Sequence, residues 1–181
     1  MKKAVLFFAD GTEECEALIV VDLLRRAEIE VTTASVMGRS DLTTSSNIQL
    51  KTDTLIEDID MKDFDLFILP GGMPGTLHLG NCEKLKTMLK YANENSKHIA
   101  AICAAPSVLG ENDYLQGKKA ICYPGFEEKL LGATISDTDP ITDGNITTAS
   151  GLGHAIPFAL ELIKVMLGEE KSKEVADSIV Y

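Results

Sequence analysis

Apolar residues occur along the chain in short unbroken runs, separated by stretches that are apolar on one side only. Ala4 to Ala9 is such a run and stops at Asp10-Gly11-Thr12, which predicts a buried strand and a turn. From Glu16 to Glu28 the apolar positions change to helical spacing: Ala17, Leu18, Val20, Val21, Leu24 and Ala27. Glu13 and Glu14 suit the first turn of that helix. Glu30 to Ser35 reads as a second strand. Met37 to Glu57, rich in Thr, Ser and β-branched residues, predicts short strands and a hairpin outside the main rhythm.

Asp65 to Leu69 is a third buried strand. It runs into Pro70-Gly71-Gly72-Met73-Pro74-Gly75, a loop dense in turn formers. Cys82 to Glu94 reads as a helix with Leu85, Met88, Leu89 and Ala92 facing inward. Ile99 to Ile102 is too short for a helix and right for a buried strand, and Pro106 to Asn112 starts with a proline suited to a first helical turn. Lys119 to Tyr123 is read as a strand broken by Pro124-Gly125, and Phe126 to Leu131 as a helical turn. Ala133 to Ser136 and Ile146 to Ala149 are read as late strands joined through Asp143-Gly144. Ala155 to Leu167 is a strongly apolar helix, and Lys171 to Val180 a terminal amphipathic segment. Strands alternating with helices indicate an α/β fold, doubly wound around a mostly parallel sheet. No linker, repeat or low-complexity tract divides residues 1–181, so one domain is expected.

Composition narrows the function classes. A formal net charge of −11 over 181 residues argues against nucleic acid or an anionic membrane as general partner. The amino-terminal apolar run is too short for a secretory signal core. No stretch is long enough to span a bilayer. Cys15, Cys82, Cys103 and Cys122 form no CxxC pair, and His78 near Cys82 lacks a closely spaced ligand set. Free thiols in a cytoplasmic protein are the simplest reading, with no metal. The first strand is not followed by a dinucleotide fingerprint, and no GxxxxGK segment exists, so no cofactor is expected.

In an open parallel sheet the loops after the strands converge on one edge. Three such loops are informative here: Asp10 to Glu16, Pro70 to Gly75, and Cys103 with Ala104. Cys103 falls on a tight bend between strand and helix, where free N–H groups and the helix field favour a thiolate. A buried structural cysteine is the bland alternative. Gly71 and Gly72 let backbone N–H groups point into a cavity, or make a plain turn. Glu16 is the preferred acid, because it shares the broad face of Val20 and Leu23. Pointing at the core it would be protonated and hydrogen-bonded to Cys103. Otherwise Glu13, Glu14 and Glu16 are one solvated helix start. His154 and Tyr123 could line the same edge, while His78 and His98 read as structural or exposed. Arg25 and Arg26 read as a solvated or interface pair.

Together, Asp10-Gly-Thr-Glu-Glu-Cys-Glu16, Leu69-Pro-Gly-Gly72 and Ala101-Ile-Cys-Ala-Ala-Pro106 resemble the ThiJ/PfpI superfamily. The likeness is to the branch of the parkinsonism-associated protein deglycase and its bacterial relatives, and it covers nearly the whole chain. It implies a single-domain flavodoxin-like three-layer sandwich, a homodimer and no cofactor. Cys103 then matches the nucleophile on its elbow, and Glu16 the acid bonded to it. Gly71, Gly72 and Ala104 match backbone donors beside the thiol, and Arg26 a candidate pocket position near the dimer interface that in relatives approaches the partner's pocket. The chain departs from that branch at Tyr123, where a histidine is usual, and at Ser46 and Ser150, where arginines are usual. The implied activity is that of a cofactor-independent glyoxalase or deglycase, acting on small aldehydes, dicarbonyls or their adducts. Protection against oxidative stress through Cys103 oxidation is the alternative. A cysteine amidase or peptidase is a third, although Ala104 stands where the peptidase-like branch has a histidine.

Overall fold

The computed structural model describes residues 1–181. In chain order the elements are β1 (Lys3–Phe8), α1 (Glu14–Arg26), β2 (Glu30–Ser35), β3 (Asp41–Thr43), β4 (Gln49–Lys51), β5 (Thr54–Leu55), β6 (Leu66–Leu69), α2 (Gly75–Asn81) and α3 (Glu83–Glu94). They continue with β7 (His98–Ile102), α4 (Pro106–Glu111), β8 (Lys119–Ala120), β9 (Thr134–Ile135), β10 (Ile141–Asp143), β11 (Ile146–Ala149), α5 (Ala155–Leu167) and α6 (Glu169–Ser178). Seven strands form one sheet in the order β10-β11-β7-β6-β1-β2-β5. All neighbours in it are parallel except β10 and β11. This is the three-layer, mostly parallel α/β architecture.

The apolar runs make the layers. Side chains alternate across a strand, so Ala4, Leu6 and Phe8 of β1 join one core with α1 and α5. Val5, Phe7 and Ala9 join the opposite core with α3 and α4. Strands β6 and β7 divide in the same way: Leu66, Ile68, Ala100 and Ile102 on one face, Phe67, Leu69, Ile99 and Ala101 on the other. Burying Phe7 or Phe67 completely is worth roughly 2–3 kcal/mol each before entropy is counted.

Three local readings change. The stretch from Gly75 to Asn81, unassigned by periodicity, is helix α2. Seven residues with few large apolar side chains carry too short a pattern to register. Lys119 to Tyr123 is a strand only at Lys119–Ala120, and it pairs with β9 in a separate two-stranded sheet. The turn at Asp143-Gly144 joins β10 to β11, so β9 is not the partner of β11. Ile141–Asp143 is only three residues long, below what alternation can reveal. The predicted hairpin between Met37 and Glu57 is present as β3 and β4. It docks on the loop after β1, where Gly11 N–H donates to the Thr43 carbonyl (2.8 Å) and Thr43 N–H to Asp10 Oδ1 (2.9 Å). No helix is long and apolar enough to cross a membrane.

Candidate active site

The carboxyl ends of β1, β6, β7 and β11 supply the site. Strand β7 ends at Ile102, and the next residue, Cys103, has φ 66°. A left-handed conformation at a non-glycine residue is strained. It is held by three bonds: Cys103 N–H to Ala149 O at 2.9 Å, Tyr123 N–H to Cys103 O at 2.7 Å, and Ala105 N–H to Ile102 O at 3.1 Å. Neighbours in β11 and the 121–125 loop therefore lock the bend. Pro106 then opens α4.

Glu16 reaches the same point from α1. The three acids at that helix start do three different things, so the solvated-start reading is overturned. Glu13 is the N-cap, and its side chain accepts from Glu16 N–H at 2.6 Å. Glu14 turns to the β3–β4 hairpin, where hydrogen bonds led by Ser46 hold its carboxyl down at about 2. Glu16 is only 2% exposed, and its Oε2 accepts the Gly71 N–H at 3.1 Å. The Leu152 N–H also points at this carboxyl, as does the thiol of Cys103.

The glycines of the 70–75 loop are there for room. A methyl group on Gly71 would lie 2.4 Å from Cys103 Cβ, 2.4 Å from Glu16 Oε2 and 3.0 Å from the sulfur. Gly72 has φ 96°, and a Cβ on it would sit 2.2 Å from the Glu13 nitrogen. The donor assignment is corrected in one place. Gly71 N–H is spent on Glu16, so the N–H groups aimed at the sulfur are those of Gly72 and Ala104.

Burial also acts on the electrostatics of the pair. The Gly72 and Ala104 N–H groups do pull the thiol down. Burial outweighs them, and the Glu16 charge adds to it, so the Cys103 thiol is pushed up to about 12. Burial likewise raises Glu16 from 4.5 to about 7. Both groups are buried and hydrogen-bonded to each other, so they titrate as a coupled pair.

Gly151 forms the opposite wall. A Cβ placed on it would be 3.7 Å from Glu16 Oε1, 4.0 Å from Cys103 Sγ and 3.4 Å from Cδ2 of Tyr123. The Tyr123 ring thus edges the pocket. His154 stands one turn beyond Gly151, its Nδ1 3.1 Å from Asp139 Oδ2 and 3.0 Å from Ser150 Oγ. Arg26 is not in this pocket. It lies at the far end of α1, about 15 Å of helical rise from Glu16, and pairs with Asp22 at 2.8 Å. His98 is buried at the opposite end of β7, bonded to Thr147 Oγ1 at 2.8 Å. All four cysteines are free thiols. Asp139 and the Leu152 N–H join the site without any signal in the sequence, because only the return of β11 beside β7 brings them there; Ser150 is marked by the resemblance alone.

Comparison with known proteins identifies the family. The profile of the DJ-1/PfpI family matches residues 2–165. Protein DJ-1 homolog B of Arabidopsis thaliana is 41% identical over 181 residues, which are 99% of this chain and 41% of that protein. The chain thus spans under half the length of the Arabidopsis homologs B and A, 41% and 46%. The glutathione-independent glyoxalase DJR-1.2 of Caenorhabditis elegans is 27% identical over 173 residues, 94% of this chain and 91% of that one. The structure of oxidized Toxoplasma gondii DJ-1 superimposes with a TM-score of 0.96 at 36% identity, covering 100% of this chain and 99% of the other. A profile match over most of the length and near-complete structural overlap lead to one assignment: this chain belongs to the DJ-1/PfpI family.

Proposed function

We propose that the protein is a cofactor-independent glyoxalase that converts 2-oxoaldehydes such as methylglyoxal to 2-hydroxy acids, with Cys103 as nucleophile and Glu16 as proton carrier. The observation that carries this is a buried carboxyl raised to about 7 and set against the thiol of a strained elbow. A carboxyl in that range is poised to accept and return protons at neutral pH.

The Cys103 sulfur attacks the aldehyde carbon while its proton passes to the Glu16 carboxylate. The developing oxyanion is met by the Gly72 and Ala104 N–H groups, and its protonation gives a hemithioacetal. Glu16, ionised again, removes the proton from that carbon and delivers it to the adjacent ketone carbon through an enediol. The product of this isomerisation is a thioester of the 2-hydroxy acid on Cys103. Water cleaves it to the free acid and restores the thiol. Methylglyoxal plus water thereby becomes lactate, with no external oxidant or reductant. The DJR-1.2 relative, named as a glutathione-independent glyoxalase, supports the reading.

The test is lactate release from methylglyoxal by the purified protein, with Cys103→Ser and Glu16→Gln alongside. Turnover by the wild type, and loss of at least about 100-fold in both variants, is the expected result. A wild type that forms no lactate where a known glyoxalase does overturns it.

A second reading is favoured by the same two N–H donors. They would equally hold the oxygens of a Cys103 sulfinate, and the Toxoplasma relative is described as oxidized. In that role the protein is a peroxide-responsive protective factor. Peroxide titration followed by peptide mass analysis decides it: Cys103 should oxidise before the exposed Cys15, and the reverse order removes this reading.

A further inference from the structure

The Cys103–Glu16 pair accounts for isomerisation but leaves the last step without a base. Hydrolysis of a thioester needs a water made nucleophilic from the solvent side. Glu16 is 2% exposed. One of its oxygens is committed to the Gly71 N–H, and the Leu152 N–H also points at the carboxyl. It faces the sulfur while buried from solvent.

The turn that follows Gly151 carries a different arrangement. Asp139, with its side chain 12% exposed, accepts the Ser150 N–H at 3.2 Å and lies 3.1 Å from His154 Nδ1. An ionised carboxylate only accepts, so the hydrogen of the neutral imidazole lies on Nδ1. Nε2 is left with a free lone pair on a side chain 44% exposed. A carboxylate that fixes Nδ1–H and frees Nε2 is the orienting arrangement of hydrolytic acid–base histidines. Ser150 does not complete a nucleophilic triad, because its Oγ meets Nδ1 and not Nε2. The position is close to the chemistry. Ser150 and Gly151 are consecutive, Gly151 faces both Cys103 Sγ and Glu16 Oε1, and His154 N–H closes back on Gly151 O at 2.8 Å. One short turn, about 6 Å of rise, separates the wall against the sulfur from the histidine.

We propose that His154, oriented by Asp139, is the general base that hydrolyses an acyl thioester on Cys103. This rests on the glyoxalase reading for its natural acyl group, but the step can be tested without it. His154 Nε2 takes a proton from water as the water oxygen bonds to the thioester carbonyl carbon. The tetrahedral intermediate collapses by breaking the carbon–sulfur bond. The imidazolium proton then goes to the departing sulfur, giving a carboxylic acid and the Cys103 thiol. Asp139 is a positioning residue, acting only through the ring.

The experiment acylates Cys103 with p-nitrophenyl acetate in a Cys15→Ser, Cys82→Ser background and follows loss of the acetyl group by intact mass. Cys103→Ser in that background fixes the zero of labelling. His154→Ala should slow deacylation about 100-fold while the first burst of p-nitrophenol is kept. Added imidazole should restore much of the rate, which repair of a merely structural role would not do. Asp139→Asn should slow the same step, and imidazole should rescue it less well. Lys90→Ala, on the exposed face of α3, should leave the step unchanged.

Equal deacylation in wild type and His154→Ala, or a loss not rescued by imidazole, overturns the proposal. So does failure of Cys103 to acylate, since no thioester would then exist to be cleaved. The methylglyoxal assay separates the two ideas. A wild type that makes lactate, with His154→Ala hydrolysing its thioester at the normal rate, sinks only the role of His154. A wild type that makes none but shows His154-dependent deacylation sinks only the glyoxalase.

Discussion

Replacing Glu16 by glutamine should change how stability depends on pH more than it changes stability itself. Burial raises the Glu16 carboxyl from 4.5 to about 7, so in this interval the folded state holds a proton that the unfolded state releases. A raised carboxyl stabilises fully below its unfolded value, and the benefit fades as pH rises toward the folded one. At 1.36 kcal/mol per pH unit, the loss between pH 5.5 and 7 is about 2 kcal/mol. The wild-type curve conceals it, because His98 works the other way. Burial holds His98 down from 6.5 to about 4, so its neutral form adds stability as pH rises toward 6.5, at about 1.4 kcal/mol per pH unit. The two slopes nearly cancel between pH 5.5 and 6.5. Glu14, held at about 2, and Cys122, pushed up to about 11, change outside this window.

Urea unfolding at pH 5.5, 6.5 and 7.5 is the assay, and it avoids the region of the isoelectric point, near 4.7, where low net charge invites precipitation. The side-chain amide in Glu16→Gln still accepts the Gly71 N–H through its oxygen, so the fold is kept, but it has no proton to lose. The difference in unfolding free energy between Glu16→Gln and wild type should move by about 2 kcal/mol in favour of the variant from pH 5.5 to 7. Parallel curves for the two proteins would refute the reasoning, because they would mean that Glu16 titrates alike folded and unfolded.

Other substitutions probe other parts of the same account. His98→Asn should remove the opposing slope, so that its stability falls by about 1.4 kcal/mol from pH 5.5 to 6.5 where the wild type stays level, again read by urea unfolding. Gly71→Ala puts a methyl group 2.4 Å from both Cys103 Cβ and Glu16 Oε2. It should cost about 1–3 kcal/mol in stability and abolish labelling of Cys103 by iodoacetamide, measured by peptide mass. Thr12→Val removes the buried hydroxyl that accepts the Ala9 N–H at 3.0 Å. Leaving that N–H unpaired should destabilise by about 1–3 kcal/mol, visible as a lowered melting temperature with lactate formation kept at permissive temperature.

Much of this fold is legible before any coordinates because its core strands are fully apolar. The runs at Ala4, Asp65 and Ile99 have no second reading, and their carboxyl ends must share an edge in a parallel sheet. That alone places Cys103, Gly72 and the acidic loop together. Periodicity fails where elements are two or three residues long. Lys119–Ala120, Thr134–Ile135 and Ile141–Asp143 owe their pairing to backbone partners, not to pattern. Asp139 is invisible for the same reason, since nothing in Asp137-Thr-Asp-Pro140 marks which carboxylate turns toward Ser150 and His154.

The charge state of the thiol is illegible in the sequence for a different reason. A cysteine just before a helix is expected to ionise because terminal N–H groups face it. Here α4 has six residues and begins at Pro106, so its field is weak, and the sulfur gains only the Ala104 and Gly72 donors. Against them stand burial and a carboxyl from α1 with which the thiol must share charge. The balance pushes both groups upward. In the proposed glyoxalase, nucleophilicity comes from proton transfer during attack, with Glu16 as acceptor. The rate of Cys103 alkylation should therefore rise through pH 7 with Glu16 ionisation in the wild type, and lose that rise in Glu16→Gln. An alkylation rate already at its plateau at pH 5.5 would show a preformed thiolate and reverse the assignment of base and acid within the pair.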